Sequence, residues 1–172
     1  MRRLADGAHL ARRFLASLSN APPDLAEGAW ARTWLTPLEA TLWQSQPGRD
    51  RRHTLAVARL VEGAVEGQTE TAQADTAWLV AAGLLHDVGK TSAQLGVIGR
   101  SAATVLELLG VGSAPGRLGR YLHYPVAGAA ALQRAGSDPR VVAWAGEHHL
   151  GAARWTVPAS AGELLARADR DA

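Results

Sequence analysis

The stretch "LLHDVGK", residues 84–90, poses the question on which the fold turns. It runs straight out of the apolar segment "WLVAAGLL", residues 78–85, and ends that segment with an imidazole and a carboxylate side by side. A charge at the end of such a run is costly unless something satisfies it. His86 also has two ring nitrogens to place. Either the pair lies at the surface, or something is bound there. The next residues include Lys90, the single lysine of the chain.

Working outward, the surroundings read as helix. Residues 72–86 form one candidate, closed by His86. Upstream, residues 52–66 place His53, Ala56, Val57, Leu60, Val61, Ala64 and Val65 on one stripe at helical spacing. Further upstream, residues 30–44 are helical but interrupted by Pro37. There "LTPLEA" offers a fresh start, with Thr36 as cap and Pro37 in the first turn. "SNAPPDLAEG", residues 19–28, reads as a connection to an N-terminal amphipathic helix carrying Leu4, Leu10, Phe14 and Leu18. Downstream, "TSAQLGVIGRS" is a loop candidate, "AATVLELLG" a short helix and "GVGSAPGRLG" a second connection. Three more helices follow, each with an early proline: Pro125, Pro139 and Pro158. Gly136 and Gly151 read as the stops of the first two. No segment alternates apolar and polar residues between hairpin turns, so strands are not expected. The fold class expected is all-α, a compact helical bundle.

Composition narrows the chemistry. The chain has 172 residues, 47% of them apolar and 20% charged, which fits a single globular domain. No apolar run approaches the roughly 18 residues of a membrane span, and the N-terminal segment is broken by Asp6, His9, Arg12 and Arg13. A membrane partner and a secretory signal are not expected, and the cytoplasm is the expected compartment. There is no cysteine, which excludes disulfides, thiolate metal sites and a cysteine nucleophile. The net charge of +2, without basic runs interleaved with aromatics, points away from a specific nucleic-acid partner.

Five of the six histidines fall at helix ends or on apolar helix faces: His53, His86, His123, His148 and His149. Asp87 and Asp169 add carboxylates, the second on the apolar side of the last helix, four residues after Leu165. Each has an ordinary reading. A lone histidine such as His53 or His123 is commonly bonded to a backbone carbonyl in a core. His148 and His149 point in different directions on a helix. Asp87 can cap a turn, and Asp169 can be a solvated last-turn residue. Asp50, three residues before His53, reads as a helix cap, and Glu147 as solvated or ion-paired. Trp155 reads as core, with stacking on a nucleobase as its functional alternative.

Taken in order, "RRHTLAVARLV", "LLHDVGK", "YLHYPVAGAAAL", "AGEHHLGA" and "LLARADRD" resemble the HD-domain superfamily of metal-dependent phosphohydrolases. The resemblance covers residues about 50 to 171. It divides the chain into an N-terminal helical extension, 1–48, and an HD-like metal-binding domain, 49–172. It implies a helical bundle in which His53, His86, Asp87 and Asp169 converge on one divalent metal. It also implies that His123, His148 and His149 match the positions of a second metal, with Asp87 bridging the two. "HYPVAG" and "EHH" lie closest to the two-metal, HD-GYP-like branch. That branch continues with a Gly-Tyr-Pro signature, where this chain reads "LGAARWTVP", so cyclic dinucleotide hydrolysis is not implied. The Glu-Asp element of alarmone hydrolases is not visible either.

The donor set fits that implication chemically. Imidazole and carboxylate without thiolate suit Mn, Fe, Zn, Ni or Mg, in one or two ions, and five imidazoles disfavour Mg alone. Asp87 and Lys90 are the expected catalytic residues, Lys90 also as a phosphate contact. Arg52, Arg120 and Arg154 are candidate substrate contacts, as is Arg51, because the guanidinium fork matches a phosphate. The expected substrate is a small phosphorylated molecule such as a nucleotide. Two other functions use the same residues: a di-iron oxygenase of the HD-like type, and a non-catalytic, metal-stabilised regulatory module. Oligomeric state is not legible.

Overall fold

The computed structural model describes residues 19–65, 73–93 and 123–172. The N-terminal helix expected over residues 1–18, the short helix after Ser101, the connection that follows it, residues 94–101 of the loop before it and Arg120 lie outside the described residues. Among those described there are seven α-helices and no strand: α1 (Leu25–Thr33), α2 (Pro37–Gln44), α3 (Gly48–Val65), α4 (Gln73–Leu85), α5 (Tyr124–Arg134), α6 (Pro139–Glu147) and α7 (Ala159–Asp171). Two 3-10 turns, Val88–Ala93 and Ala152–Arg154, complete the set. The all-α reading is correct. None of these helices is long and apolar enough to cross a membrane.

The local starts follow side-chain chemistry. Thr36 and Glu39 form a reciprocal capping box at α2, with Pro37 in the first turn. Asp138 caps α6 by accepting from the Arg140 N–H at 2.8 Å. Asp24 caps α1 in the same way, accepting from the Glu27 N–H at 2.7 Å. The segment 19–28, expected to be a connection, therefore already contains a helix start. At the far end of α5, Gly136 takes a φ of 73°, as a helix-stop glycine does. Gly151 is different. α6 ends at Glu147, and Gly151 precedes the Ala152–Arg154 turn with a φ of −64°. The early stop lets Glu147 reach forward to the Thr156 N–H and hydroxyl, both at 2.7 Å.

α4 is the centre of the bundle. From Trp78 to Leu85 its apolar side chains are buried on every side, because α3, α6, α7 and α2 all pack on it. An apolar run without a polar face is what a surrounded helix requires. α3 lies along it, but its buried face is set one residue off the expected stripe. Thr54, Leu55, Val57, Ala58, Val61 and Val65 are buried, whereas Leu60 is 43% exposed and Ala64 is exposed. The stripe misses Thr54 because a hydroxyl does not read as core. Here that hydroxyl accepts from the Trp43 indole N–H at 3.1 Å, which ties α2 to α3 inside the core.

Candidate metal centre

The last turn of α4 delivers the opening pair. The His86 N–H still bonds to the Ala82 carbonyl at 3.0 Å, and Lys90 N–H then bonds to the Asp87 carbonyl at 3.0 Å as the chain tightens into a 3-10 turn. In that tighter helix, side chains three apart eclipse one another. Lys90 is thereby carried over Asp87, and its ammonium donates to Oδ2. Gly89 is required by the same turn. A Cβ there would sit 1.9 Å from the Tyr124 carbonyl oxygen and 2.8 Å from the Gly128 nitrogen. Without a side chain, the start of α5 docks directly on the turn.

Three elements far apart in sequence then meet. His53 Nε2, from the first turns of α3, lies 2.9 Å from Asp169 Oδ1, from the end of α7. His86 Nε2 lies 3.6 Å from that same oxygen and 3.6 Å from Asp87 Oδ2. One ligand atom from each of His53, His86 and Asp169 falls within 4.8 Å of the others. Donors held about 2.1 Å from a shared ion are about 3 Å apart at a right angle and about 4.2 Å apart when opposite. These three need only small side-chain rotations to meet one cation.

The protonation pattern makes the same point. The Nδ1 of His86 is 3.0 Å from the Gly83 carbonyl, which can only accept, so that nitrogen carries the hydrogen. The other ring nitrogen, Nε2, faces two carboxylates. Burial opposes charging His86, but Asp87 and Asp169 outweigh it and raise its pKa. Burial likewise opposes ionisation of Asp169, yet His53 and His86 hold that carboxyl well below the usual range. Asp87 is also held far below its ordinary value, against its burial, by Lys90 first and by the histidines next. Two ionised carboxylates around Nε2 favour a positive charge there, which a proton on Nε2 or a bound cation supplies, and the backbone bond at Nδ1 leaves Nε2 as the nitrogen available to a metal.

Beside this group lies a second one. His148, on the turn that closes α6, also has Nδ1 at 3.1 Å from a carbonyl, that of Ala145. Its Nε2 is 3.8 Å from Asp87 Oδ1. Burial, then His86, pushes the His148 pKa down to about 3, so the ring is neutral. The Tyr124 hydroxyl lies 3.0 Å from Asp87 Oδ1 and 3.1 Å from His148 Nε2, and also hydrogen-bonds His149 Nε2.

The family model for the HD domain matches residues 51–172. The chain belongs to the HD domain family. Neither the curated proteins nor the solved structures contain a match to it. Within this HD domain, the residues expected to bind metal divide. His53, His86 and Asp169 come together, with Asp87 adjoining them. His148 and His149 gather around Tyr124, with their rings 4.1 Å apart. His123 is exposed at the N-cap of α5 and enters none of these contacts. Lys90 stands on Asp87, with 19% of its side chain open to solvent. The Arg52 guanidinium donates to the backbone carbonyls of Ser19 and Ala21. Arg154 is exposed. Trp155 packs edge-on against Trp144, and its indole bonds to the Leu150 carbonyl at 3.1 Å, which makes it a core residue.

Tyr124 is the residue that the sequence did not single out. In "HYPVAG" the histidine drew attention because imidazole is the commoner ligand. His123 is the N-cap of α5 and exposed, whereas Tyr124 is the first residue of the helix and turns inward, 5% exposed. The Gly89 and Gly128 pair was the available signal, since it marks where α5 must approach the turn closely.

Proposed function

We propose that this HD domain is a metal-dependent phosphohydrolase acting on a nucleotide or another small phosphate ester. The observation that carries the proposal is the convergence of His53, His86 and Asp169 on one point with Asp87 beside them. Family membership supports it. His53, His86, Asp87 and Asp169 would hold the ion, and residues 19–48 would be a helical extension packed on the metal-binding unit. A divalent cation supplies Lewis acidity there, activating water and offsetting charge on a phosphoryl oxygen.

The chain's own residues prepare that chemistry. The Gly83 carbonyl orients His86, and the His53–Asp169 contact draws α3 and α7 together around the centre. Lys90 sits at the partly open edge, where its ammonium can exchange Asp87 for a substrate phosphate. Its position three residues after Asp87 places both groups at one mouth. Bulk water is limited by the burial of His86 and Asp87, each 2% exposed, which strengthens charge interactions inside.

The test is hydrolysis of a nucleotide and phosphate-ester panel by protein loaded with Mn or Fe. Activity is expected, with loss in His86→Ala and Asp87→Ala. Lys90→Ala should raise KM by about tenfold or more, as loss of a charge-assisted phosphate contact does. Fully metallated protein that hydrolyses nothing on a broad panel overturns the proposal.

A further inference from the structure

Two donor clusters meet at Asp87, and they differ in what lies between their atoms. On the Oδ2 side, His86 Nε2 stands 3.6 Å from both Asp87 Oδ2 and Asp169 Oδ1, His53 Nε2 lies 2.9 Å from the latter, and the Lys90 ammonium rests on Oδ2, a positive charge for which a divalent ion can substitute. On the Oδ1 side stand His148 Nε2 and, one residue on, His149. This second set also resembles a metal shell, but its middle is filled. The Tyr124 hydroxyl lies 3.0 Å from Asp87 Oδ1, 3.1 Å from His148 Nε2 and in hydrogen-bond contact with His149 Nε2.

The hydroxyl also meets the needs of that set. Its single hydrogen can go to Asp87 or to His148, and its oxygen accepts from His149 in the tautomer that protonates Nε2. The position is rigid. Tyr124 is 5% exposed, and its backbone carbonyl lies where Gly89 would carry a Cβ, so the backbone that carries the ring is seated directly on the turn. The imidazole that would complete a second shell, His123, points to solvent at the α5 N-cap.

We infer that Tyr124 occupies the second cation position, so that this chain holds one divalent ion, on the His53–His86–Asp87–Asp169 side. The inference rests on the metal site proposed above. It makes Tyr124 a positioning residue that fixes Oδ1 of Asp87 and leaves Oδ2, on which the Lys90 ammonium now rests, on the side of the ion.

Metal content after anaerobic loading with Mn(II) and removal of excess tests it, together with electron paramagnetic resonance. The wild-type chain should retain one equivalent and show the hyperfine pattern of isolated Mn(II). Tyr124→Ala, and Tyr124→His as a variant that keeps a ring in the core, should take up a second equivalent and show an exchange-coupled spectrum. Two equivalents or a coupled spectrum in the wild type overturn the inference and leave the phosphohydrolase reading standing. One equivalent in the wild type and in both folded variants removes Tyr124 from the role. No bound metal in the wild type sinks the metal-site reading, and the inference with it. The wild-type spectrum decides the stoichiometry even where a variant does not fold.

Discussion

His86 and His123 occupy similar places in the sequence, each beside the start or end of a helix, and the structure gives them opposite fates. His86 is anchored through Nδ1 and faces two carboxylates; His123 is exposed. His86→Ala should therefore lower metal affinity by about a hundredfold or more, at or beyond the upper end of what loss of a ligand-orienting contact costs. His123→Ala should leave it within about twofold, as a surface change remote from the ligands does. Isothermal titration with Mn(II) checks both. The group His53, His86, Asp87 and Asp169 was legible through the order and spacing of its motifs, since each residue alone has an ordinary reading. Tyr124 was hidden because a tyrosine at a helix start is ordinary, and its partner atoms come from two other elements. A second residue-scale test lies far from the centre. The Arg140 guanidinium, through its hydrogen bond, holds the Asp138 carboxyl below its ordinary 3.8. A carboxylate with a lowered folded-state pKa adds stability that is complete above the unfolded value and fades as pH falls through the folded one. Asp138→Ala should cost about 1 kcal/mol at neutral pH through loss of the cap. In denaturant melts the gap to wild type should shrink below about pH 3.8, where the native carboxylate takes up its proton.

At the scale of elements, the approach of α5 to the His-Asp turn is the most demanding contact. A methyl group on residue 89 would overlap the Tyr124 carbonyl at 1.9 Å, and backbone cannot move aside as a flexible side chain can. Gly89→Ala should cost about 3 kcal/mol or more, at the severe end of overpacking, and should reduce bound metal as well. Gly128→Ala faces its nearest atoms at 3.0 and 3.3 Å and should cost less. Thermal melts of the two variants, read with metal content, give the order. Helix starts were readable wherever a side chain caps the backbone, as Thr36 shows. The start of α1 was missed because its cap, Asp24, stands in a proline-rich segment whose turn signals dominate. The face of α3 was offset because periodicity counts apolar residues and overlooks a buried hydroxyl. The early end of α6 was not legible, since the contact that goes with it, Glu147 to Thr156, links residues nine positions apart.

Over the whole molecule, the core is continuous from α1 and α2 into the family-matched region. Ala31 and Trp43 belong to the same buried cluster as Val80, Leu132 and Leu165. Trp43→Ala should destabilise the fold by about 3–5 kcal/mol, whereas Trp43→Phe, losing chiefly the bond to Thr54, should cost about 1 kcal/mol. A melting point unmoved by Trp43→Ala would show that α1 and α2 only decorate the bundle. The proposed ion binding would act at this scale too, because the residues proposed to hold the ion come from α3, from the end of α4 and from α7. At a hundredfold excess over Kd a cation should add about 2.7 kcal/mol, so a chelator should lower the melting temperature by about 5–10 °C for a chain of this size. The bundle class was legible because helix signals recur throughout. Which helix sits at its centre became legible only through packing, although the unbroken apolar run of α4 was the clue.

The contact between His53 and Asp169 spans 116 positions of the chain. Closing so long a loop is slow, since its entropy must be overcome before the contact gives anything back. Translation therefore cannot assemble the cage in stages. His53, His86 and Asp87 emerge from the ribosome well before Asp169, and the nascent protein has only a partial chelator until α7 is free to dock. Full-strength capture of the ion becomes a reporter of completed folding, and a molecule clipped ahead of its last helix should surrender its cargo before it loses its helices.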